Sequence, residues 1–351
     1  MGIGKRVALG MSGGVDSSTA AAVLMHHGYE VVGVTCVFQD DEATRASIAG
    51  AREACRRFGI EHAVRNCVER FSRCVIEPFV RGYEKGETPS PCVGCNAVMK
   101  IPELLSFADE HGCDLVATGH YARVNQLKDS GRFAVLCGLD NRKDQSYMLA
   151  LLRQRQLSRL VLPLGGMTKL QVRAFAADLG LQCADAPESQ DICFAPDGYR
   201  ALLAAWGVAS PAGDIVDMRG AVVGSHTGLV DYTIGQRKGI GVAGPEPYYV
   251  IGKDAAENRL TIGTAHECRI NAVVASGVNW QAIEGVSEPL DAMVKLRYRS
   301  TPCPCIIEPM GADRVRVALR SPQAPTAPGQ HAVFYQGVTV LGGGVIEEVV
   351  S

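Results

Sequence analysis

No run of this sequence approaches the ~18 consecutive apolar residues that a membrane span requires. Nor does it open on a charged leader, an apolar core and a small-residue cleavage site. Met-Gly-Ile-Gly-Lys-Arg runs straight into a strand-like stretch at 7–10. A soluble, cytoplasmic protein with no membrane partner is the expectation. An excess of positive charge is missing too: 35 Lys and Arg against 37 Asp and Glu give a net charge of −2. That excludes a global pull toward nucleic acid, so any RNA site has to be a local basic patch. Internal repeats and low-complexity tracts are absent. What is plentiful is apolar material, 47% of 351 residues, enough for packed cores and too long a chain for one of them. Cysteine is plentiful as well. Thirteen is an odd number in a long chain with no export signal, which argues against a structural disulfide framework. Most of the thirteen are expected as small buried hydrophobes, with position deciding which few are reactive or metal-binding.

The first ~200 residues alternate strand-like and helix-like segments, the pattern of an α/β domain with a parallel sheet. Strands are expected at 7–10, 30–38, 60–64 and 114–118, and helices at 17–27 and 43–58, each helix stopped by a glycine. Thr168-x-x-Gln171 is a capping box that opens a helix closed by Gly180. Asp197 is expected to cap the next helix, 198–206. Beyond about residue 210 glycine and proline recur and helical periodicity fades. Short β-rich runs appear at 248–252, 259–263, 292–298, 314–319, 332–335 and 338–341, which suggests a small barrel or sandwich.

Gly10-Met11-Ser12-Gly13-Gly14-Val15-Asp16-Ser17-Ser18 lies between a strand and a helix. Glycines let the backbone approach an anion, and a helix N-terminus offers unpaired N–H groups with a favourable dipole. Ser12, Ser17 and Ser18 add hydroxyls. Asp16 is the odd member: a carboxylate beside phosphates makes sense with a cation, magnesium above all, or as a helix cap. The loop lacks the Gly-Lys-Ser/Thr ending of a P-loop and the GxGxxG dinucleotide fingerprint. It resembles the PP-loop of the ATP pyrophosphatase superfamily, which implies ATP cleaved between the α and β phosphates and AMP transferred to a substrate oxygen.

Two cysteine motifs follow: Pro91-Cys92-Val93-Gly94-Cys95-Asn96 with Lys100 close behind, and Glu188-Ser189-Gln190-Asp191-Ile192-Cys193-Phe194. By themselves such thiols fit metal ligands, a disulfide, or neighbours in a core. A single CxxC falls short of a tetrahedral zinc site. Together with Ala117-Thr118-Gly119-His120-Tyr121-Ala122-Arg123, Lys143-Asp144-Gln145-Ser146-Tyr147, Asp231-Tyr232-Thr233-Ile234-Gly235-Gln236-Arg237-Lys238-Gly239, Val250-Ile251-Gly252-Lys253-Asp254, Arg297-Tyr298-Arg299 and Leu341-Gly342-Gly343-Gly344, the chain resembles the tRNA-specific 2-thiouridylase family along nearly its full length.

The resemblance implies a PP-loop catalytic domain at 1–207, a small central β-rich domain at 208–270 and a C-terminal β-barrel at 271–351. It implies ATP with Mg2+, tRNA as substrate, and a sulfur donor of the cysteine desulfurase or sulfur-relay kind. Cys95 matches the family's nucleophile and Cys193 the cysteine that carries a persulfide, the two forming a disulfide as sulfur leaves. Gly10, Met11, Ser12, Gly13, Gly14, Val15, Asp16, Ser17, Cys36 and Gly119 match ATP contacts. Lys143, Asp144, Gln145, Arg297 and Tyr298 match tRNA contacts. The reaction implied is 2-thiolation of the wobble uridine in lysine, glutamate and glutamine tRNAs. Many members carry an aspartate where this chain has Cys92, so an iron–sulfur cluster on Cys92, Cys95 and Cys193 stays open beside the persulfide route. Other readings are an amide-forming PP-loop synthetase, which needs neither Cys95 nor Cys193, and a non-catalytic RNA-binding protein on the same fold.

Overall fold

The computed structural model describes residues 4–181 and 192–351, so the 188–191 part of the second cysteine motif lies outside the described residues. The chain opens with β1 (Arg6–Gly10), α1 (Val15–His26), β2 (Glu30–Val37), α2 (Glu42–Phe58) and β3 (Glu61–Asn66). Helices α3 (Val68–Phe71) and α4 (Glu77–Glu84) are joined by a π-helical turn, Ser72–Ile76. A second π-helical turn, Asn96–Lys100, joins α5 (Pro91–Cys95) to α6 (Ile101–Glu110). Then come β4 (Leu115–Ala117), β5 (Ala122–Gln126), β6 (Phe133–Cys137), α7 (Gln154–Leu157), β7 (Leu160–Val161), α8 (Lys169–Asp178) and α9 (Tyr199–Ala205). Five of the strands form a parallel sheet in the order β3-β2-β1-β4-β7. Both faces are covered, which is why the central strands β1 and β2 read as nearly continuous apolar runs, while the edge strand β3 does not. Along β1, Val7 and Leu9 enter one core with α1 and α2, while Ala8 enters the other with Ile101, Leu104 and Phe107 of α6. Strand order reverses between β1 and β4, so a crevice opens beyond their carboxyl ends.

Local signals behave as the sequence predicts at most helix ends. Asp41 caps α2 through Thr44 N–H at 2.7 Å, and Gly59 ends it at φ 66°. Thr168 and Gln171 form the reciprocal capping box of α8. Helix α1 begins two residues earlier than expected, at Val15. Asp197 is not a cap. Gly198 takes that position at φ 87°, after a turn closed by its N–H on Ala195 O at 2.9 Å, and α9 has no side-chain cap.

The remaining strands are β8 (Gly213–Val216), β9 (Val222–His226), β10 (Tyr249–Asp254), β11 (Arg259–Gly263), β12 (Ile270–Trp280), β13 (Leu290–Lys295), β14 (Cys303–Pro309), β15 (Val315–Gln323), β16 (His331–Gln336) and β17 (Thr339–Val350). A four-stranded sheet, β10-β11-β8-β9, forms the central unit. Six strands, β12-β15-β14-β13-β16-β17, close into a barrel through the β12–β17 pairing. The sequence reading missed the β5–β6 hairpin. It leaves the N-terminal unit and continues the barrel sheet beside β17, with Cys137 N–H donating to Val338 O at 2.8 Å. Val333, Tyr335 and Val340 of the barrel thereby share one core with Ala8, Val116 and Tyr147. Each such large apolar side chain contributes about 1.5–3 kcal/mol on burial, so this junction is a core and not a loose contact.

Candidate active site

The phosphate loop leaves β1 at Gly10, over Leu104, and is braced from α2. Gly13 has φ 72°, and a Cβ there would lie 2.6 Å from Ser47 O. Ser47 Oγ also donates to Ser12 O at 2.6 Å. Ser17 Oγ accepts from Ser12 N–H at 3.2 Å and donates to Gly14 O at 3.1 Å, folding the loop onto the first turn of α1. Met11 N–H is taken by Val34 O of β2 at 2.8 Å. The cap of α1 is Gly14, so no side chain occupies the helix's first N–H groups and an anion has access to them. Gly119, just past β4, packs on the same turn: a Cβ there would meet Asp16 backbone and side chain at 3.1–3.3 Å. Loop, helix end and β4 end thus form one concave cradle at the reversal point of the sheet.

Asp16 is less free than the motif suggests. Tyr121 hydroxyl donates to its Oδ1 at 2.6 Å and Lys169 Nζ at 2.7 Å. Neither partner was singled out from the sequence for this role. Oδ2 has no hydrogen-bond donor among the described residues, leaving one oxygen for a cation. A magnesium ion bound through one carboxylate and the phosphates of its nucleotide fits that arrangement.

Cys36, near the end of β2, sits where the sheet core meets a second cluster containing Cys67, Phe71, Phe79, Cys95 and Phe194. A hydrogen bond from Cys67 holds the Cys36 thiol below its usual range, and Cys67 is pushed up in turn. Phe194 packs edge-on against Phe71 and Phe79, and Gln39 Nε2 donates to its carbonyl at 3.4 Å. This docks Cys193 toward α5 although 98 residues of chain separate it from Cys95 in the sequence. Burial pushes the Cys92 thiol up and Cys95 up to about 11, with Cys193 adding to both effects. Cys193 is exposed as a residue, yet crowding at its sulfur raises its thiol as well. The sulfur's own surroundings matter for reactivity.

One cation opposes all of this. Lys100 closes the π-helical turn that begins at Asn96, and its charge lowers Cys36, Cys92, Cys95 and Cys193. It also acts on His120, whose imidazole burial holds down to about 3, a neutral ring with Nδ1 2.7 Å from Thr118 Oγ1. The described cysteines are all free thiols. No three His, Cys, Asp or Glu side chains among the described residues converge as metal ligands, so Cys92, Cys95 and Cys193 do not form a cluster-binding set here.

The sequence-distant segments 143–145 and 297–298 also converge. The Tyr147 and Tyr298 rings lie 6.0 Å apart, and Lys295, missed from the sequence, places Nζ 5.9 Å from both. Several of the expected tRNA contacts have intramolecular partners. Asp144 accepts from Gly138 N–H, Ser146 N–H and Ser146 Oγ; Gln145 exchanges hydrogen bonds with the Tyr121 backbone. Arg297 donates to Ile234 O at 2.9 Å and keeps a buried Nε with no partner. These residues shape the rim between catalytic unit and barrel, while Lys143, Lys295 and Tyr298 give it charge and an aromatic face.

Residues 5–197 match the tRNA methyl transferase HUP domain, 203–264 the tRNA methyl transferase PRC-barrel domain, and 270–346 the aminomethyltransferase beta-barrel domain. The chain is 43% identical to the tRNA-specific 2-thiouridylase MnmA of Nostoc punctiforme, over 98% of this chain and 99% of that protein. It is equally 43% identical to the one from Geobacter metallireducens, over 99% and 98%. Among solved structures, the U34-tRNA thiolase NcsA from Methanococcus maripaludis is similar over 58% of this chain and 65% of its own, at a TM-score of 0.38 and 19% identity, a likeness too slight to carry weight.

Proposed function

The chain belongs to the tRNA-specific 2-thiouridylase family, and from that premise we propose that it replaces the C2 oxygen of the wobble uridine of tRNA with sulfur, at the expense of ATP. The observation that carries the reading to particular residues is the place of Cys36, which packs both against the sheet core beneath the nucleotide crevice and against the cluster that holds Cys95 and Phe194, the neighbour of Cys193. Adenylation and sulfur transfer therefore belong to one site. An amide-forming synthetase has no use for the two thiols, and the full-length similarity to thiouridylases does not favour it.

The chemistry follows in balanced steps. The uridine C2 oxygen attacks the α-phosphorus of ATP held by the 10–17 loop; pyrophosphate leaves and the oxygen becomes part of an AMP leaving group. Loop N–H groups and α1's N-terminus stabilise the charge developing on the phosphate. Magnesium, held by Asp16, supplies further charge neutralisation when bound. The outer sulfur of a persulfide on Cys193 attacks C2 and AMP departs. Cys95 then attacks the inner sulfur, the S–S bond breaks with its electron pair going to the product sulfur, and a Cys95–Cys193 disulfide remains for an external thiol to reduce. Sulfur reaches Cys193 from a cysteine desulfurase or a sulfur-relay protein. The rim around Lys143, Asp144, Gln145, Arg297 and Tyr298 takes the tRNA, whose unpaired wobble base costs little to turn inward. No helix among the described residues is long and apolar enough to cross a membrane, and a cytoplasmic location suits a tRNA substrate.

The test separates the two half-reactions. Asp16→Ala is expected to abolish AMP and pyrophosphate formation. Cys193→Ser is expected to form AMP normally and yield no 2-thiouridine on nucleoside analysis of the tRNA. Normal thiolation by Cys193→Ser would reject the persulfide assignment.

A further inference from the structure

The helix that carries Cys95 is held from the other end of the chain. Cys95 closes α5, a five-residue helix with no side-chain cap, and Thr88-Pro89-Ser90-Pro91 leads into it. A helix that short does not fix its own orientation, so whatever holds its entry sets where the thiol points. Proline lacks an N–H and keeps the residue before it extended, which leaves this segment its donors at 88 and 90 alone. Both are spent on the barrel. Thr88 N–H donates to Pro328 O at 2.9 Å, and Ser90 N–H donates to Gly329 O at 3.1 Å. Gln330 Nε2 donates in the other direction, to Thr88 O at 2.6 Å. The 328–330 loop is itself clamped to β17, since Gly329 N–H donates to Ile346 O at 2.9 Å and Ile346 N–H to Gln330 O at 2.8 Å.

The packing is as close as the hydrogen bonding. Gly329 has φ 87°, and a Cβ there would lie 3.1 Å from Pro89 N and Thr88 C. In the catalytic unit, a Cβ on Gly82 of α4 would lie 2.4 Å from Pro89 Cγ. Pro89 is therefore wedged against two glycines, one from each unit. Just past α5, Asn96 Nδ2 donates to Met148 O at 3.1 Å, so the helix takes its entry from the barrel and its exit from the catalytic unit. Resting on the reading of Cys95 as the thiol that attacks the inner sulfur, we infer that the 328–330 loop is a positioning element for Cys95. The barrel thereby acts on the resolving step of sulfur transfer. In that step Cys95 sulfur bonds to Cys193 sulfur, the S–S bond to the product breaks, and its electron pair leaves on the product sulfur. The attack has to run in line with the bond it breaks, and a misplacement of ~1 Å costs up to ~100-fold in rate.

Single-turnover reactions of the full-length enzyme, loaded with persulfide and given saturating ATP and tRNA, separate this role from a structural one. Gly82→Ala drives a methyl into the Pro89 ring, while helix propensity favours alanine over glycine, so the helix itself loses no stability. This variant is expected to release AMP at the wild-type rate and to form 2-thiouridine roughly 10- to 100-fold more slowly. The tRNA accumulates meanwhile as a disulfide adduct on Cys193, which dithiothreitol resolves. Gly329→Ala, pressing on the same segment from the barrel, is expected to behave alike. Adding Pro89→Ala to Gly82→Ala removes the ring that is struck and is expected to recover most of the rate. AMP and 2-thiouridine slowing together, or neither slowing, overturn the inference. So does a Gly329→Ala enzyme that resolves the adduct at the wild-type rate, or a double variant that recovers nothing. A wild type that makes no 2-thiouridine overturns the reading of Cys95 and Cys193 itself, and this inference with it.

Discussion

Cys92 is the residue at which this chain departs from many relatives, and its surroundings give it no proton to manage. Burial raises its thiol, the neighbouring Cys193 raises it further, and only Lys100 works the other way. Since the described thiols do not gather as a ligand set, Cys92→Ala is expected to keep thiolation within about threefold of wild type, whereas Cys95→Ala abolishes turnover. Stoichiometric iron and sulfide in anaerobically purified wild type, lost with activity in Cys92→Ala, would reverse that expectation. The raised thiols have a second consequence. Cys95, at about 11, is almost wholly protonated at neutral pH, and only the thiolate attacks sulfur. The single-turnover rate of the disulfide-forming step is therefore expected to climb between pH 7 and about 9, close to tenfold per unit. A flat profile would place the attacking thiolate elsewhere. The cysteines and the loop were legible in the sequence because each motif is contiguous. Lys169 was hidden inside a capping box, although a lysine directly after an N-cap, opposed by the helix dipole, was a readable anomaly.

Of the strands that the sequence concealed, the hairpin β5–β6 matters most, because it joins two units. Residues 122–126 and 133–137 alternate weakly, and the strand they join, β17, begins beyond residue 330, so no local pattern announces the pairing. Four strands of the parallel sheet, by contrast, were readable, at 7–10, 30–38, 60–64 and 114–118, while the two-residue edge strand β7 was too short to announce itself. The hairpin ties two units into one cooperative body. Val135, fully buried in the shared core, tests this: Val135→Ala is expected to destabilise the protein by roughly 1–3 kcal/mol. Denaturant curves followed by helical dichroism, which reports the catalytic unit, and by fluorescence of Trp280, stacked on Phe334 in the barrel, should shift together. Separate transitions would show that the junction is weaker than its packing implies.

Taken whole, the molecule carries nearly balanced charge, and its acid response is set by buried groups instead. His331, 5% exposed, is held down to about 4 by burial. Below its unfolded value of ~6.5 the unfolded chain takes a proton that the folded state refuses. Stability is therefore full above pH 6.5 and lost as pH falls toward 4, by roughly 3 kcal/mol for this one group. Urea denaturation between pH 7.5 and 4.5 should show that slope, flattened in His331→Gln. The change of composition near residue 210 foretold an α/β unit followed by a β-rich part, and the family resemblance implied the division of that part into a small central unit and a barrel. Neither foretold that the first and last units share a sheet. That shared sheet sets a timetable during synthesis. Roughly 200 residues separate the hairpin from its partner strand, which at 5–20 residues per second is about 10–40 s of waiting. Throughout that interval the emerging catalytic unit carries an unpaired strand edge beside an uncovered apolar face, the combination that holding chaperones recognise and that aggregation exploits.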